Sequence, residues 1–153
     1  MNQAGAESVP TIREIVNHMP YRVLLCDDEI HILRAAEFKL KQAGYEVCCA
    51  GNGEEAWEEI QRCRPDIVIT DCQMPRLDGT GLCKRVRENP ATADLPILML
   101  TAKGYELSHR ELCEQLGVLA ILAKPFSPRA LLRQVDEVCR AAGRLTGDLA
   151  SDS

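Results

Sequence analysis

The sequence has no excess of positive charge: 18 Lys+Arg stand against 23 Asp+Glu, a formal net charge of -5. A phosphate backbone is bound largely by clustered cations, so nucleic acid is not an expected partner. Long apolar runs are missing too, and none approaches the roughly 20 residues of a membrane-spanning helix. No membrane role is expected. Met1 to Pro10 lack the basic start and apolar stretch of a secretory signal, which makes the expected location cytoplasmic. Close cysteine pairs are also absent. The eight cysteines (Cys26, Cys48, Cys49, Cys63, Cys72, Cys83, Cys113, Cys139) are scattered with no Cys-x-x-Cys spacing. That argues against zinc ligation and against the disulfide framework of a short secreted chain. Most lie inside apolar runs, where a reduced thiol acts as a small hydrophobe.

What is present fits one soluble α/β domain. The 153 residues are 46% hydrophobic and 27% charged, and a chain of this length buries roughly 70% of its unfolded surface without needing a staple. Short β-branched runs alternate with stretches of helical period, the rhythm of parallel βαβ units. The strand candidates are Tyr21 to Cys26, Glu46 to Ala50, Ile67 to Thr70, Pro96 to Leu100 and Val118 to Leu122. Their near-continuous apolar character predicts a sheet covered by helices on both faces. Between them, Leu33, Ala36, Leu40 and Ala43 form one helical stripe that Gly44 stops. Ala56, Ile60 and Cys63 form a second, and Leu82 and Val86 a weaker third. A fourth helix is expected from Glu106 to Leu116. A fifth opens at Ser127 with Pro128 in its first turn and carries Leu131, Val135, Val138 and Ala142 along one face.

Residues 1–20 form an N-terminal extension outside this unit. Thr11-x-x-Glu14 has the form of a capping box, and Ile12, Ile15, Val16 and Met19 predict a short amphipathic helix that docks on its own domain. The main unit spans 21–142, and 143–153 reads as a polar, disordered tail.

Polar residues interrupt the strands at their C-terminal ends. Asp27 and Asp28 follow the first strand, Asp71 ends the third, Thr101 ends the fourth, and Lys124 follows the fifth. In an open parallel sheet these ends share one edge, where ligands bind. With strand order 2-1-3-4-5 the first and third strands are neighbours, so the three aspartates converge. Two carboxylates about 4 Å apart repel by ~4 kcal/mol at an effective dielectric of 20, or about three pKa units. Such a cluster binds a cation or titrates high, and hard oxygens with room for water and phosphate suit Mg²⁺. Lys124 supplies a mobile charge for a phosphoryl oxygen, the Thr101 hydroxyl a further donor, and Asp71 a plausible nucleophile toward phosphorus.

Four segments carry a family resemblance: Leu-Leu-Cys-Asp-Asp-Glu (24–29), Ile-Thr-Asp-Cys-Gln-Met-Pro-Arg-Leu-Asp-Gly (69–79), Leu-Thr-Ala-Lys (100–103) and Ala-Lys-Pro-Phe (123–126). Together, in this order, they resemble the receiver domain of two-component response regulators, over about Tyr21 to Ala142. The resemblance is to chemotaxis-regulator-like receivers and implies a flavodoxin-like, doubly wound five-stranded parallel sheet of order 2-1-3-4-5 with five helices. It implies that Asp71 is the phosphoacceptor, that Asp28, Asp71 and the backbone carbonyl of Gln73 ligate Mg²⁺, and that Asp27 acts through water. Thr101 would be the switch hydroxyl and Lys124 the phosphate partner. The implied donor is a phosphohistidine on a sensor histidine kinase or phosphotransfer protein. The implied product is a phosphoprotein that signals within a phosphorelay and catalyses only its own phosphorylation and dephosphorylation.

One departure concerns Ile121, where the family often has an aromatic residue that turns inward as the switch hydroxyl moves. An aliphatic side chain reshapes the face of the fourth helix, fifth strand and fifth helix less. Gln73 and Lys103 occupy positions where the family varies. The expectation is a stand-alone receiver whose output is contact with a downstream protein over that face, with a homodimer as a further candidate partner state. Two other classes stay open. One is a degenerate receiver used as a binding module without phosphorylation. The other is an Mg²⁺-dependent phosphohydrolase, against which Gln73 stands where such enzymes often carry a second aspartate.

Several features are read as decoys. Gly51-x-Gly53-x-x-Ala56 mimics a dinucleotide fingerprint, but it sits in the second βα turn, and Glu54 and Glu55 would repel a pyrophosphate. His18, His31 and His109 share no ligand spacing. Cys72 adjoins the proposed nucleophile, but no basic neighbour lowers its pKa, so an inert thiol is the expectation. Trp57 reads as packing. Cys48 and Cys49 point to opposite faces of a strand and are not expected to pair.

Overall fold

The computed structural model describes residues 8–17 and 21–142. His18, Met19 and the expected tail from 143 lie outside the described residues, as do the side chains of Val16 and His109. Strands β1 (Arg22–Cys26), β2 (Glu46–Ala50), β3 (Ile67–Asp71), β4 (Ile97–Ala102) and β5 (Ala120–Lys124) form one parallel sheet of order β2-β1-β3-β4-β5. Five helices wrap it: α2 (Ile30–Gln42), α3 (Gly53–Arg62), α4 (Gly79–Glu88), α5 (Glu106–Gln115) and α6 (Pro128–Ala141). A short α1 (Ile12–Asn17) precedes them.

The period-2 alternation of the central strands divides the core in two. Val23, Leu25, Ile67, Ile69, Leu98 and Leu100 meet Leu33, Ala36 and Leu40 of α2 and Leu131, Val135 and Cys139 of α6. The opposite side chains, Leu24, Cys26, Val68, Ile97 and Met99, meet Ala56, Ile60, Leu82, Val86 and Cys113 of α3, α4 and α5. Each fully buried Leu or Ile contributes roughly 1.5–3 kcal/mol relative to exposure. Trp57 packs against this second cluster, with the Arg85 guanidinium 6.0 Å from its ring centre. Five cysteines are buried, while Cys48, Cys49 and Cys63 are exposed, and all eight are free thiols.

Helix starts are fixed by short polar side chains. Ser127 Oγ accepts from Ala130 N–H at 3.0 Å, Asn52 Oδ1 from Glu55 N–H at 2.9 Å, and Asp78 Oδ1 from Gly81 N–H at 2.8 Å. The capping box of α1 forms in both directions: Thr11 N–H donates to Glu14 Oε1 and Glu14 N–H to Thr11 Oγ1. Its expected docking is not seen at Ile12 and Ile15, which are 80% and 47% exposed. A helix of six residues presents little apolar surface to hold such a contact.

Strand β5 starts later than the hydrophobic pattern predicts. Gly117 ends α5 at φ 68°, and Val118 N–H turns back to Cys113 O at 2.9 Å, so Val118 closes the helix instead of opening the strand. The strand then runs on to include Lys124. Arg87 binds this junction. Its guanidinium donates to the carbonyls of Leu116 (2.6 Å), Gly117 (3.2 Å), Ala93 (3.0 Å) and Leu95 (2.7 Å). One side chain thus ties α4 to the start of β4 and to the end of α5.

Candidate functional site

The C-terminal strand ends bring the acidic residues together. Register pairs Cys26 with Thr70 across β1 and β3, so Asp27 and Asp28 emerge beside Asp71. Carboxylate oxygens of Asp27, Asp28 and Asp71 lie within 4.8 Å of one another, the one such group found among the described residues. Asp27 and Asp71 are buried, while Asp28 opens to solvent. Asp27 also accepts from Glu29 N–H at 2.9 Å, which fixes the entry to α2, where Glu29 itself supplies no side-chain cap.

The loop after β3 holds Asp71 from below. Gly79 N–H donates to Cys72 O at 2.9 Å, and a Cβ on Gly79 would fall 2.1 Å from Asp71 O. Only a glycine allows this approach. Arg76 reverses the chain at φ 73°, in the left-handed region that costs a non-glycine residue about 1 kcal/mol.

Lys124, the last residue of β5, reaches into the acidic group. Its Nζ lies 3.0 Å from Asp71 Oδ2, 2.8 Å from Asp27 Oδ2 and 2.7 Å from Glu29 Oε1. The contacts to Asp71 and Glu29 are hydrogen bonds. That to Asp27 is a close charge contact without hydrogen-bond geometry, so Asp27 Oδ2 is buried with its hydrogen-bonding capacity unmet. Burial raises the pKa of Asp27 and Asp71 above the ordinary aspartate value, against the opposing pull of Lys124; at Asp71 the Asp27 charge raises it further and a hydrogen bond from Gln73 N–H opposes. Burial also works against the Lys124 charge, but the contacts with Asp27, Glu29 and Asp71 outweigh it and hold the ammonium above its ordinary pKa.

Asp28, Glu29, Asp71, Gln73, Met74, Pro75, Ala102 and Lys124 line an open cleft of about 550 Å³. Thr101 is not among them. It is 1% exposed, beneath the cleft. Ile121 is half-buried against the core cluster that includes Cys72 and Met99. Burial pushes the Cys72 thiol up to about 12, in keeping with an inert thiol. Glu29 and Gly79 belong to the site, although neither is among the site residues expected from the sequence. For Glu29 the signal was a third acidic residue in the run 27–29. Gly53 has a packing reason of its own, since a Cβ there would lie 2.0 Å from Leu77 O.

The donor set fits a small hard cation. Three carboxylates converge, one buried oxygen is without a hydrogen bond, and the adjoining cleft has room for water and a phosphoryl group. These are the ligand preferences of Mg²⁺.

Comparison with known proteins agrees. Residues 23–136 match the family described as the response regulator receiver domain. A probable transcriptional regulator ycf27 of Porphyra purpurea is 40% identical over 128 residues, 84% of this chain and 51% of that protein. The alkaline phosphatase synthesis transcriptional regulatory protein PhoP of Bacillus subtilis (strain 168) is 37% identical over 122 residues, 80% of this chain and 50% of that protein. The chain thus spans about half the length of the curated relatives it matches. The chemotaxis response regulator CheY4 of Vibrio cholerae superimposes with a TM-score of 0.73 at 34% identity, covering 78% of this chain and 99% of that one. The REC domain of AraT, a response regulator from Geobacillus stearothermophilus, does so with 0.72 at 30% identity, covering 82% and 98%. The flavodoxin-like sheet, the acidic group with its lysine and the match over 23–136 lead to one conclusion: the chain belongs to the response regulator receiver domain family.

Proposed function

We propose that this chain is a phosphorylation-controlled switch that accepts a phosphoryl group on Asp71 from a phosphohistidine donor. An Asp71 carboxylate oxygen bonds to phosphorus as the donor N–P bond breaks, and the released imidazole carries away the electron pair and then takes a proton. The observation that carries the reading is the 3.0 Å contact between Lys124 Nζ and Asp71 Oδ2 beside two further aspartates. A nucleophilic carboxylate is held next to a cation that can follow the transferred charge.

Asp28, Asp71 and the Gln73 carbonyl would hold Mg²⁺ directly and Asp27 would hold it through water. When bound, the ion neutralises the carboxylates and the incoming phosphoryl oxygens. Lys124 then exchanges a carboxylate contact for a phosphoryl oxygen, and Thr101 donates its hydroxyl to another. Thr101 is buried, two residues after Met99, the strand partner of the half-buried Ile121, and this supports coupling of that movement to the face of α5, β5 and α6. Output runs through protein contact over this face, where β5 is the sheet edge and Leu119 is 58% exposed.

Incubation with Mg²⁺ and acetyl phosphate, read by intact mass, tests the reading. A single phosphoryl adduct is expected, absent without Mg²⁺ and absent in Asp71→Asn. No adduct, together with no beryllofluoride binding by the folded protein, would refute it.

A further inference from the structure

An ammonium has three protons to give, and three carboxylates surround that of Lys124. A phosphoryl oxygen reaches Nζ only if one of them lets go. The three differ in what release costs. The Asp27 side chain is 1% exposed, with one oxygen already short of a hydrogen bond, so losing its cation leaves a buried charge unpaired. Asp71 is the acceptor itself. The Glu29 side chain is 59% exposed, and water replaces a partner there at little cost.

Glu29 has also forgone its local role. It stands at the N-cap of α2 with extended backbone, where a short polar side chain would accept a bond from the first turn, yet its side chain makes no cap bond. Instead Glu29 Oε1 accepts from Lys124 Nζ at 2.7 Å, a contact that spans the ends of β3 and β4 to the edge strand. Both side chains line the cleft beside Asp71. The carboxylate therefore stands where an anion approaches and holds the donor which that anion needs.

We propose that Glu29 is a positioning residue for Lys124: its carboxylate latches the ammonium in the unphosphorylated arrangement and is the contact that Lys124 gives up when a phosphoryl group arrives. The inference rests on the reading of Asp71 as acceptor and Lys124 as phosphate partner. The latch raises the cost of loading, so removing it favours the loaded state.

The test titrates the full chain with beryllofluoride at saturating Mg²⁺, following the adduct by ¹⁹F NMR, and records the Lys124 side-chain ¹⁵N resonance with neither present. Glu29→Gln removes the charge. Glu29→Asp keeps it on a side chain one methylene shorter, which suits the N-cap and falls short of Lys124. Both variants should bind beryllofluoride about two- to fivefold more tightly than wild type, the range of one exposed ion pair, and both should shift the free Lys124 resonance. Tighter binding in Glu29→Gln alone would make the effect one of net charge and overturn the proposal. Weaker binding in both variants would make Glu29 a support for the bound state and overturn it too. A wild-type chain that forms no Mg²⁺-dependent adduct overturns the acceptor reading along with the inference. An adduct of unchanged affinity in both variants overturns the inference alone.

Discussion

Lys124 Nζ lies 2.8 Å from Asp27 Oδ2, a close charge contact without hydrogen-bond geometry. The lysine therefore partly occupies the electrostatic role of a divalent cation, neutralising a carboxylate group that would otherwise repel itself. A divalent cation held there would act on the same charge.

Substitution of the lysine exposes this overlap. Lys124→Met leaves Asp27 and Asp71 without their positive neighbour, and the expected loss is about 2–4 kcal/mol of unfolding free energy without divalent ions. Added Mg²⁺ should recover a larger share of stability in the variant than it adds to the wild type. Urea titrations with and without Mg²⁺ check this; an equal gain in both proteins would contradict it.

Proton linkage gives a second expectation. The Asp27 and Asp71 pKa values are raised above 3.8, so the native state protonates these groups at a higher pH than the unfolded chain does. Their ionisation opposes folding, and the penalty grows as pH rises through a window that begins at 3.8 and extends upward. A bound cation needs both ionised. Mg²⁺ affinity should therefore fall as pH drops through that window, with proton release on binding, and calorimetry in buffers of different ionisation enthalpy reads both.

Two glycines on the site side of the sheet should behave differently. Gly79→Ala places a Cβ against Asp71 O, and Gly51→Ala meets nothing closer than Glu55 Oε1 at 3.8 Å. The first should cost about 1–3 kcal/mol and slow phosphorylation of Asp71. The second should stay within about 0.5 kcal/mol and leave phosphorylation unchanged. Thermal unfolding and adduct formation by mass measure the pair. Loss of function in Gly51→Ala would reopen the dinucleotide reading of that turn.

Arg87→Lys keeps the charge but not the fork that meets four carbonyls. It should lower stability by about 1–3 kcal/mol, and hydrogen exchange should rise first at residues 116–119. Uniform protection across the sheet would contradict a local role.

Much of this arrangement was legible in the residues. The aspartates at 27, 28 and 71 and the lysine at 124 interrupt apolar strands, and the sheet brings those four together. The continuous burial of β1, β3 and β4 between helices on both faces was equally plain, because charge is nearly missing from them. Other features depend on contacts that no local pattern encodes. Thr101 was expected at the strand end, but its burial beneath the cleft follows from the β3–β4 register. Gly79 carries no local mark of the site, and its nearness to Asp71 O is a tertiary fact. The late start of β5 was hidden because Val118 is as β-prone as its successors, and only its backbone bond to Cys113 assigns it to the helix end.

Arg87 has a mechanical consequence. Because it clasps Leu116 and Gly117 from α4, the C-terminal end of α5 is pinned to the scaffold whatever happens at the opposite end. A helix hinged in this way swings more cheaply than it slides. Any swing about that hinge has its smallest displacement at Gly117 and its largest at Glu106, the far tip, and spectroscopic probes placed there test for it.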